Sequence, residues 1–424
     1  MTRRRKRPNL FSWVILGLVV LFGYYLNQVY LPAQPNPFEA TPTVTRSPES
    51  LATEAEELFR QGKLFQSIDS YEAAINASPQ NPALYVALAR VQVFAGKYEE
   101  AQANAENALL LNPDSSMAHA VLAWALDFQG KNSEAMDAIE QAIDLDPNNA
   151  IAHAYRVEIL IDSQAFANIE TAIQVSKDAL ALNPGALETR RARGYLLEAT
   201  SNYEEAIQFY RSAIEVNPNI PILHMELGRN LRFLEVYDEA IKEFTLANTL
   251  NPADPEPDLL ISRTYATIGD YAKAIQYAEQ AVKDRSSDPS LRGNYGVMLL
   301  HNFLYQQAVE QLSLAVKGGK AEDGLPIVGL PLTNGGRVVE YYYSYGLALA
   351  RTYQCGDALK MAQLVQTTVP EDENATFAAS EIIRICQENL ENPVVETPTA
   401  GEAEETVTLE AEAETPAPEG TPTP

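Results

Sequence analysis

The chain has 424 residues, of which 46% are hydrophobic, and it carries a formal net charge of −26. This length exceeds what one small hydrophobic core serves, so several units or an elongated array are expected. The acidity disfavours binding to the phosphates of nucleic acids. Two cysteines and four histidines are too few for a disulfide-dense scaffold or a zinc-ligand set, so we expect no metal site and no cofactor.

The N-terminus combines a basic segment, residues 1–9, with an uncharged apolar run over residues 10–31. Such a run just reaches the roughly 20 residues that span a bilayer. The basic cluster RRRKR at residues 3–7 favours a cytoplasmic N-terminus, because positive charge is retained on that side. We therefore predict a single-pass transmembrane anchor with the rest of the chain extracytoplasmic; a cleaved signal peptide and a buried helix are the alternatives.

Low-complexity segments flank the central part of the chain. Residues 32–50 are rich in Pro and Thr, and we expect them to form an extended linker. Residues 391–424 contain nine glutamates and no Lys or Arg. That composition cannot bury enough apolar surface to offset the entropy of ordering, so it predicts a disordered acidic tail.

Residues 51–390 repeat with a period of 34. One alanine marks the second helix of each unit, at Ala101, Ala135, Ala172, Ala206, Ala240, Ala274, Ala308 and Ala358. A second small residue follows seven positions later in most units, and a proline five positions after that. Small residues let two helices approach closely, and proline stops one helix before the next begins. The period therefore predicts an all-α array of helical hairpins.

The units at residues 187–218 and 221–252 carry the most complete motif, with Gly194, Tyr203, Ala206, Tyr210, Ala213 and Pro218, and with Gly228, Tyr237, Ala240, Phe244, Ala247 and Pro252. These residues resemble the tetratricopeptide repeat family over about residues 48–390. The resemblance implies a right-handed α-α superhelical solenoid of about nine hairpins, each supported by its neighbours. It also implies a non-catalytic protein that receives partner segments in a concave groove. A capping helix over residues 375–390 should follow, with Phe377, Ile382, Ile383 and Ile385 facing inward.

The last spacing between marker alanines is 50, which indicates an insertion at residues 323–338. Pro326 and Pro331 exclude a helix there, and the sequence Asn-Gly-Gly at 334–336 is typical of a tight turn. We expect a short hairpin or an ordered loop. Long insertions are often functional, and a structural flap over the end of the array is the alternative.

In the tetratricopeptide repeat family, which this sequence resembles, positions two, five, nine and twelve of each first helix line the concave groove. Here they hold Trp124, Arg191, Tyr195, Arg229, Arg232 and Arg263. Because arginines bind carboxylates in a bidentate manner, this stripe suggests a site for an acidic or carboxylate-bearing segment of a protein partner. Pairing of the arginines with Glu198 and Glu226 is the structural alternative. In a variant of the hypothesis, the chain's own acidic tail competes for the groove.

Two further residue sets have simpler interpretations. His119, His153 and His224 occupy the fourth position of their units, where a large packing residue is usual in the family, so we interpret them as packing residues. Cys355 lies at the turn of the last unit and Cys386 near the end of the next helix. Corresponding turns are neighbours in a stack, so the two cysteines are predicted to form a disulfide; two buried thiols are the alternative.

Together these features predict an extracytoplasmic, membrane-anchored scaffold or adaptor that binds an unidentified protein partner. An enzyme or carbohydrate-binding envelope protein that uses the 323–338 insertion is one alternative. A purely structural spacer is another.

Overall fold

The computed structural model describes residues 10–26, 28, 46–163, 168–333 and 336–392. These residues contain 20 α-helices and one two-stranded sheet, and they divide into two compact units. Unit 1 holds the described residues up to Ala192 together with Asn217–Asn219. Unit 2 holds Arg193–Val216 and the described residues from Ile220 onwards.

The elements follow one another in a regular order. The first half of the chain contains α1 (Leu10–Tyr25), α2 (Pro48–Arg60), α3 (Leu64–Ala77), α4 (Pro82–Phe94), α5 (Tyr98–Leu111), α6 (Ser116–Phe128), α7 (Asn132–Leu145), α8 (Ala150–Asp162), α9 (Asn168–Leu182) and α10 (Leu187–Ala199). The second half contains α11 (Tyr203–Val216), α12 (Pro221–Phe233), α13 (Tyr237–Leu250), α14 (Glu256–Thr267), α15 (Tyr271–Asp284), α16 (Pro289–His301), α17 (Tyr305–Lys317), β1 (Gly319–Lys320), β2 (Pro326–Ile327), α18 (Arg337–Arg351), α19 (Cys355–Thr368) and α20 (Glu373–Glu391).

The first helix corrects the sequence prediction for residues 10–31. Helix α1 has 16 residues, which at ~1.5 Å per residue span about 24 Å, less than the ~30 Å hydrocarbon layer of a bilayer. No helix in the described part of the chain is long and apolar enough to cross a membrane. The predicted single-pass topology, with a cytoplasmic N-terminus and extracytoplasmic repeats, is therefore wrong. Residues 27 and 29–31 of the predicted span lie outside the described residues.

The predicted series of helical hairpins is confirmed. Within the described residues, α2 to α19 pair consecutively into nine hairpins, and the eight marker alanines are all fully buried. Glycines at the crossing points explain the close approach of the paired helices. A Cβ atom on Gly228 would lie 2.5 Å from the Phe244 ring, and one on Gly194 would lie 2.9 Å from the Tyr210 ring. Each large ring therefore fills the space that its glycine leaves.

Prolines set the ends of the second helices, as the sequence predicts. In seven hairpins the second helix ends two residues before the proline, as α5 does before Pro113 and α11 before Pro218. The residue that precedes a proline is pushed out of the helical region by the proline ring. Side chains at the fourth position of the next helix then bond back to this loop: His119 Nε2 lies 3.0 Å from the Pro113 carbonyl oxygen, and His153 Nε2 lies 2.8 Å from that of Pro147. The histidines at this position therefore hold the loop that precedes their own helix.

The insertion forms a small antiparallel hairpin that begins earlier than residue 323. Gly319 pairs with Ile327, and Lys320 pairs with Pro326. Ile327 is buried, and the fully buried Arg292 forms an ion pair with Glu322 in the hairpin turn. The insertion is thus anchored to α16. Residues 334 and 335 of the predicted Asn-Gly-Gly turn lie outside the described residues.

Helix α20 packs against α18 and α19 at the end of unit 2. Ile382 and Ile385 are buried as predicted, but the prediction for Phe377 is wrong, because its side chain is 74% exposed. Alanines at 375, 378 and 379 occupy the buried face instead. The helix continues to Glu391, and residues 393–424 of the predicted acidic tail lie outside the described residues.

Candidate functional site

The inner face of unit 1 is filled by its own aromatic side chains. Phe59, Phe94, Trp124 and Tyr155 come from four successive first helices, and neighbouring ring centroids lie 5.5, 4.9 and 4.3 Å apart. All four rings are buried, and Trp124 is fully so. Trp124 was predicted to line an open groove. The structure corrects this placement, because the ring contributes to a core rather than to an accessible surface.

Two ion pairs lie beside this aromatic core, and the first of them is fully buried. Arg191 Nη1 lies 2.6 Å from Glu158 Oε2, and both side chains are 3% exposed. The same carboxylate oxygen accepts a hydrogen bond of 2.8 Å from Trp124 Nε1. Arg90 binds Glu188 at 2.5 Å, although 98 residues separate them in the sequence. Arg191 is therefore a neutralised core residue, and its predicted role in an open groove also needs correction.

Asp127 adds an acidic group to this interior. Burial first, and then repulsion between its charged form and the nearby carboxylates of Asp162 and Glu158, raise the pKa of Asp127 to about 8. A carboxyl group with this pKa is mostly protonated at neutral pH, so it can donate a hydrogen bond to Asp162. Protonation of Asp127 therefore reduces the negative charge in the interior of unit 1.

Residues 217–219 complete unit 1 at its first hairpin. Asn217 Nδ2 donates to the Phe59 carbonyl oxygen at 3.1 Å, and Asn219 Nδ2 donates to that of Arg60 at 3.5 Å. Gly62 adopts the left-handed conformation (φ 70°), and a Cβ atom on it would lie 2.0 Å from the Asn219 side chain. Only glycine fits this contact. These contacts therefore hold residues 217–219 against the first hairpin.

Unit 2 contains the other predicted arginines, and the first of them is already paired. Arg229 Nε lies 3.2 Å from Glu198 Oε1, and the second oxygen of this carboxylate accepts hydrogen bonds from Tyr210 and Asn230. Glu198 and Glu226 raise the pKa of Arg229 by stabilising its charged form. Arg229 therefore follows the structural alternative, in which the arginines pair inside the array. Tyr195, on α10, is half-buried.

Arg232 and Arg263 differ from Arg229 because they make no ion pair with a carboxylate among the described residues. Nε of Arg232 is buried and has no hydrogen-bond partner in the part of the chain that the structure describes; its guanidinium lies over the Phe233 ring. Arg263 Nε donates to Asn294 Oδ1 at 3.3 Å. The pKa values of both arginines are lowered, first by burial; repulsion from Arg263 and Arg337 then lowers that of Arg232, and repulsion from Arg337 lowers that of Arg263. Arg337 thus lies close enough to Arg232 and Arg263 to disfavour their charged forms.

A cleft of about 210 Å³ opens beside these cations, and we call it the arginine cleft. Arg263 and Arg337 line it, together with Glu340, which lies 3.3 Å from Arg337. The other lining residues are Ala266, Thr267, Tyr271, Val297, Met298 and His301, and the rings of Tyr271 and His301 are stacked with centroids 5.1 Å apart. The cleft therefore has a mainly polar lining that includes two guanidinium groups and one carboxylate, and the excess of positive charge suits an anionic group.

Sequence reasoning identified Arg232 and Arg263 but missed Arg337 and the cleft itself. Arg337 is the first residue of α18 and belongs to the predicted insertion, so it does not fall on the groove positions of the repeat. The irregular spacing of 50 was the one available signal. Because the insertion shifts the start of the ninth hairpin, it also places Arg337 in the lining of the cleft.

The two cysteines lie where the sequence predicted them to meet. The structure joins Cys355, at the start of α19, to Cys386 on α20 as a disulfide, with their Cα atoms 5.4 Å apart. Asn389 Nδ2 donates to the Ala350 carbonyl oxygen at 2.8 Å beside it. These contacts fix the end of α20 against the turn between α18 and α19.

Family models match parts of the repeat region. One tetratricopeptide repeat family model matches residues 86–150 and 259–323, and a second matches residues 192–220. The chain is similar to a tetratricopeptide repeat protein from Parabacteroides merdae of known crystal structure, with 18% identity over 59% of this chain and 98% of that chain and a TM-score of 0.40. No curated protein matches the sequence. The segments matched by the family models lie on the helical hairpins described above, and the chain therefore contains tetratricopeptide repeats.

Proposed function

We propose that this protein is a non-catalytic scaffold that binds an acidic or carboxylate-bearing segment of a protein partner in the arginine cleft of unit 2. Tetratricopeptide repeats indicate a protein–protein interaction scaffold in general terms. The specific ligand class comes from the cations: Arg263 and Arg337 line the cleft, and the charge of Arg337 lowers the pKa values of both Arg232 and Arg263. An anion placed among them relieves this repulsion.

The single observation that carries the proposal is the pair of guanidinium groups, of Arg263 and Arg337, that line one cleft together with one carboxylate, that of Glu340. Two cations beside one carboxylate leave an excess of positive charge. A carboxylate from a partner would balance this excess and accept hydrogen bonds from the guanidinium groups. Arg229 provides the contrast, because Glu198 already neutralises it.

The expected affinity gain follows from the number of contacts. A hydrogen bond to a charged group contributes about 1.5–3 kcal/mol, and two arginines that each engage a carboxylate would supply several kcal/mol before the cost of ordering the peptide is subtracted. Reversing both charges replaces two attractions by two repulsions. We therefore expect a loss of affinity of at least about 100-fold.

Fluorescence anisotropy tests the proposal, with a labelled glutamate-rich peptide of about twelve residues as the probe and its glutamine counterpart as the uncharged control. The natural chain should bind the acidic peptide and not the glutamine peptide. The double variant Arg232→Glu, Arg263→Glu should lose the binding. Lys242→Glu is the matched control, because Lys242 is an exposed cation on α13 of the same unit and should leave the affinity unchanged.

Equal binding of the acidic and glutamine peptides would contradict a charge-based site. Loss of binding in the Lys242→Glu variant to the same extent as in the double variant would show a general effect of net charge. A chain that binds neither peptide favours the structural spacer.

A further inference from the structure

The sequence of this chain contains a segment with the chemistry that the arginine cleft selects. Residues 393–424 hold eight glutamates and no Lys or Arg, so this segment, which we call the acidic tail, is strongly negative at neutral pH. It follows directly on α20, which packs on α18, the helix that begins with Arg337. From this complementarity of charge we infer that the acidic tail occupies the arginine cleft of the same molecule and competes with the partner. The inference rests on the proposed function, since it concerns the same site.

The distance that the tail must cover is short. Asn389 bonds to Ala350 at the far end of α18, so the end of α20 and Arg337 are separated by about the length of that helix. Fourteen steps at ~1.5 Å place Arg337 about 21 Å away. An extended chain covers ~3.1 Å per residue, so the ten residues from Asn392 to Glu402 cover about 31 Å. The chain therefore has enough length to bring a glutamate to the cleft.

The sequence places its densest group of charges at this reach. Glu402, Glu404 and Glu405 lie together, and Glu410 follows five residues later. One glutamate, Glu396, precedes them in the tail, at a point where the extended chain covers only about 12 Å. The group at 402–410 is therefore the part of the tail that we expect to meet Arg263 and Arg337 in the cleft.

A tethered ligand competes through its effective concentration, which is on the order of 1 mM for a short flexible linker. If the tail binds with a dissociation constant of about 0.1 mM, it reduces the apparent affinity of an external acidic peptide about tenfold. This reduction is the quantity to measure.

The experiment compares two full-length variants that carry the same change in net charge. In the tail variant, Glu402, Glu404, Glu405 and Glu410 are replaced by glutamine. In the control variant, the exposed unit 1 residues Glu99, Glu106, Glu134 and Glu140 are replaced by glutamine. The probe is the same labelled glutamate-rich peptide. We expect the tail variant to bind it about tenfold more tightly than the natural chain, and the control variant to bind it within about twofold of the natural chain.

Adding Arg232→Glu and Arg263→Glu to the tail variant should abolish the gain, because the released surface would then be repulsive. Equal affinity of the natural chain and the tail variant would overturn the inference while leaving the proposed function intact. An equal gain in the tail and control variants would overturn it as well, since net charge alone would explain the effect. Absence of peptide binding to every variant would remove the proposed function and the inference together.

Discussion

Removing the link between Cys355 and Cys386 should selectively loosen the last helix of unit 2. The two cysteines are 31 residues apart, and closing a loop of this length lowers the entropy of the unfolded chain by an amount equivalent to about 3.7 kcal/mol at 25 °C. The link joins α20 to the start of α19, and α20 has no hairpin partner of its own. Its stability therefore depends on its buried face, which includes Ile382 and Ile385, and on the disulfide.

Hydrogen–deuterium exchange measures the effect where it is expected. The natural chain is compared with and without a reductant, and with the double variant Cys355→Ala, Cys386→Ala. Loss of about 3.7 kcal/mol from the opening equilibrium of α20 corresponds to an increase of about 500-fold in the exchange of its most protected amides. Amides of α4 in unit 1 should not change, and they serve as an internal control.

Two results would refute this reasoning. Mass spectrometry of the oxidised, non-reduced protein could show two free thiols, in which case the bond does not form. Alternatively, α20 could exchange at the same rate with and without reductant, which would mean that its packing alone holds it in place.

Three further substitutions test the interior of the two units. Arg191→Ala removes the cation that pairs with the buried carboxylate of Glu158, so we expect a loss of about 3–5 kcal/mol in the free energy of unfolding of unit 1. Denaturant titration followed by Trp124 fluorescence measures this loss. A loss below about 1 kcal/mol would argue against a buried pair. Asp127 has a folded pKa of about 8, above its ordinary value of 3.8, so its contribution to stability is complete below about pH 4 and is lost as the pH rises towards 8. Asp127→Asn should flatten this part of the stability profile, and an unchanged profile would contradict the assignment. Gly228→Ala places a methyl group 2.5 Å from the fully buried Phe244 ring, and an overpacking cost of about 1–3 kcal/mol should exceed the gain in helix propensity; a rise in melting temperature would refute the close contact.

The repeat period alone determined the hairpins of this protein. The marker alanine of the second helix, the glycine of the first helix and the closing proline act over short distances in the sequence, because each governs contact between the two helices of one unit or the end of one helix. Ala206, Gly194 and Pro218 therefore have the same meaning in any chain with this period. The positions of the paired helices could be predicted for this reason.

Tertiary structure decided which side chains are accessible. Trp124 and Arg191 occupy groove positions of the repeat, yet both are buried. The reason is that side chains from successive hairpins pack on the inner face of unit 1, where Arg191 lies over the Trp124 ring and Arg90, about 100 residues earlier in the sequence, lies over the Phe94 ring. Arg232 and Arg263 occupy equivalent positions and lack a carboxylate partner among the described residues. The period is the same in both units, whereas exposure depends on contacts between residues from about 30 to about 160 positions apart. Those contacts are set by how hairpins pack together in three dimensions, and a 34-residue pattern carries no record of them.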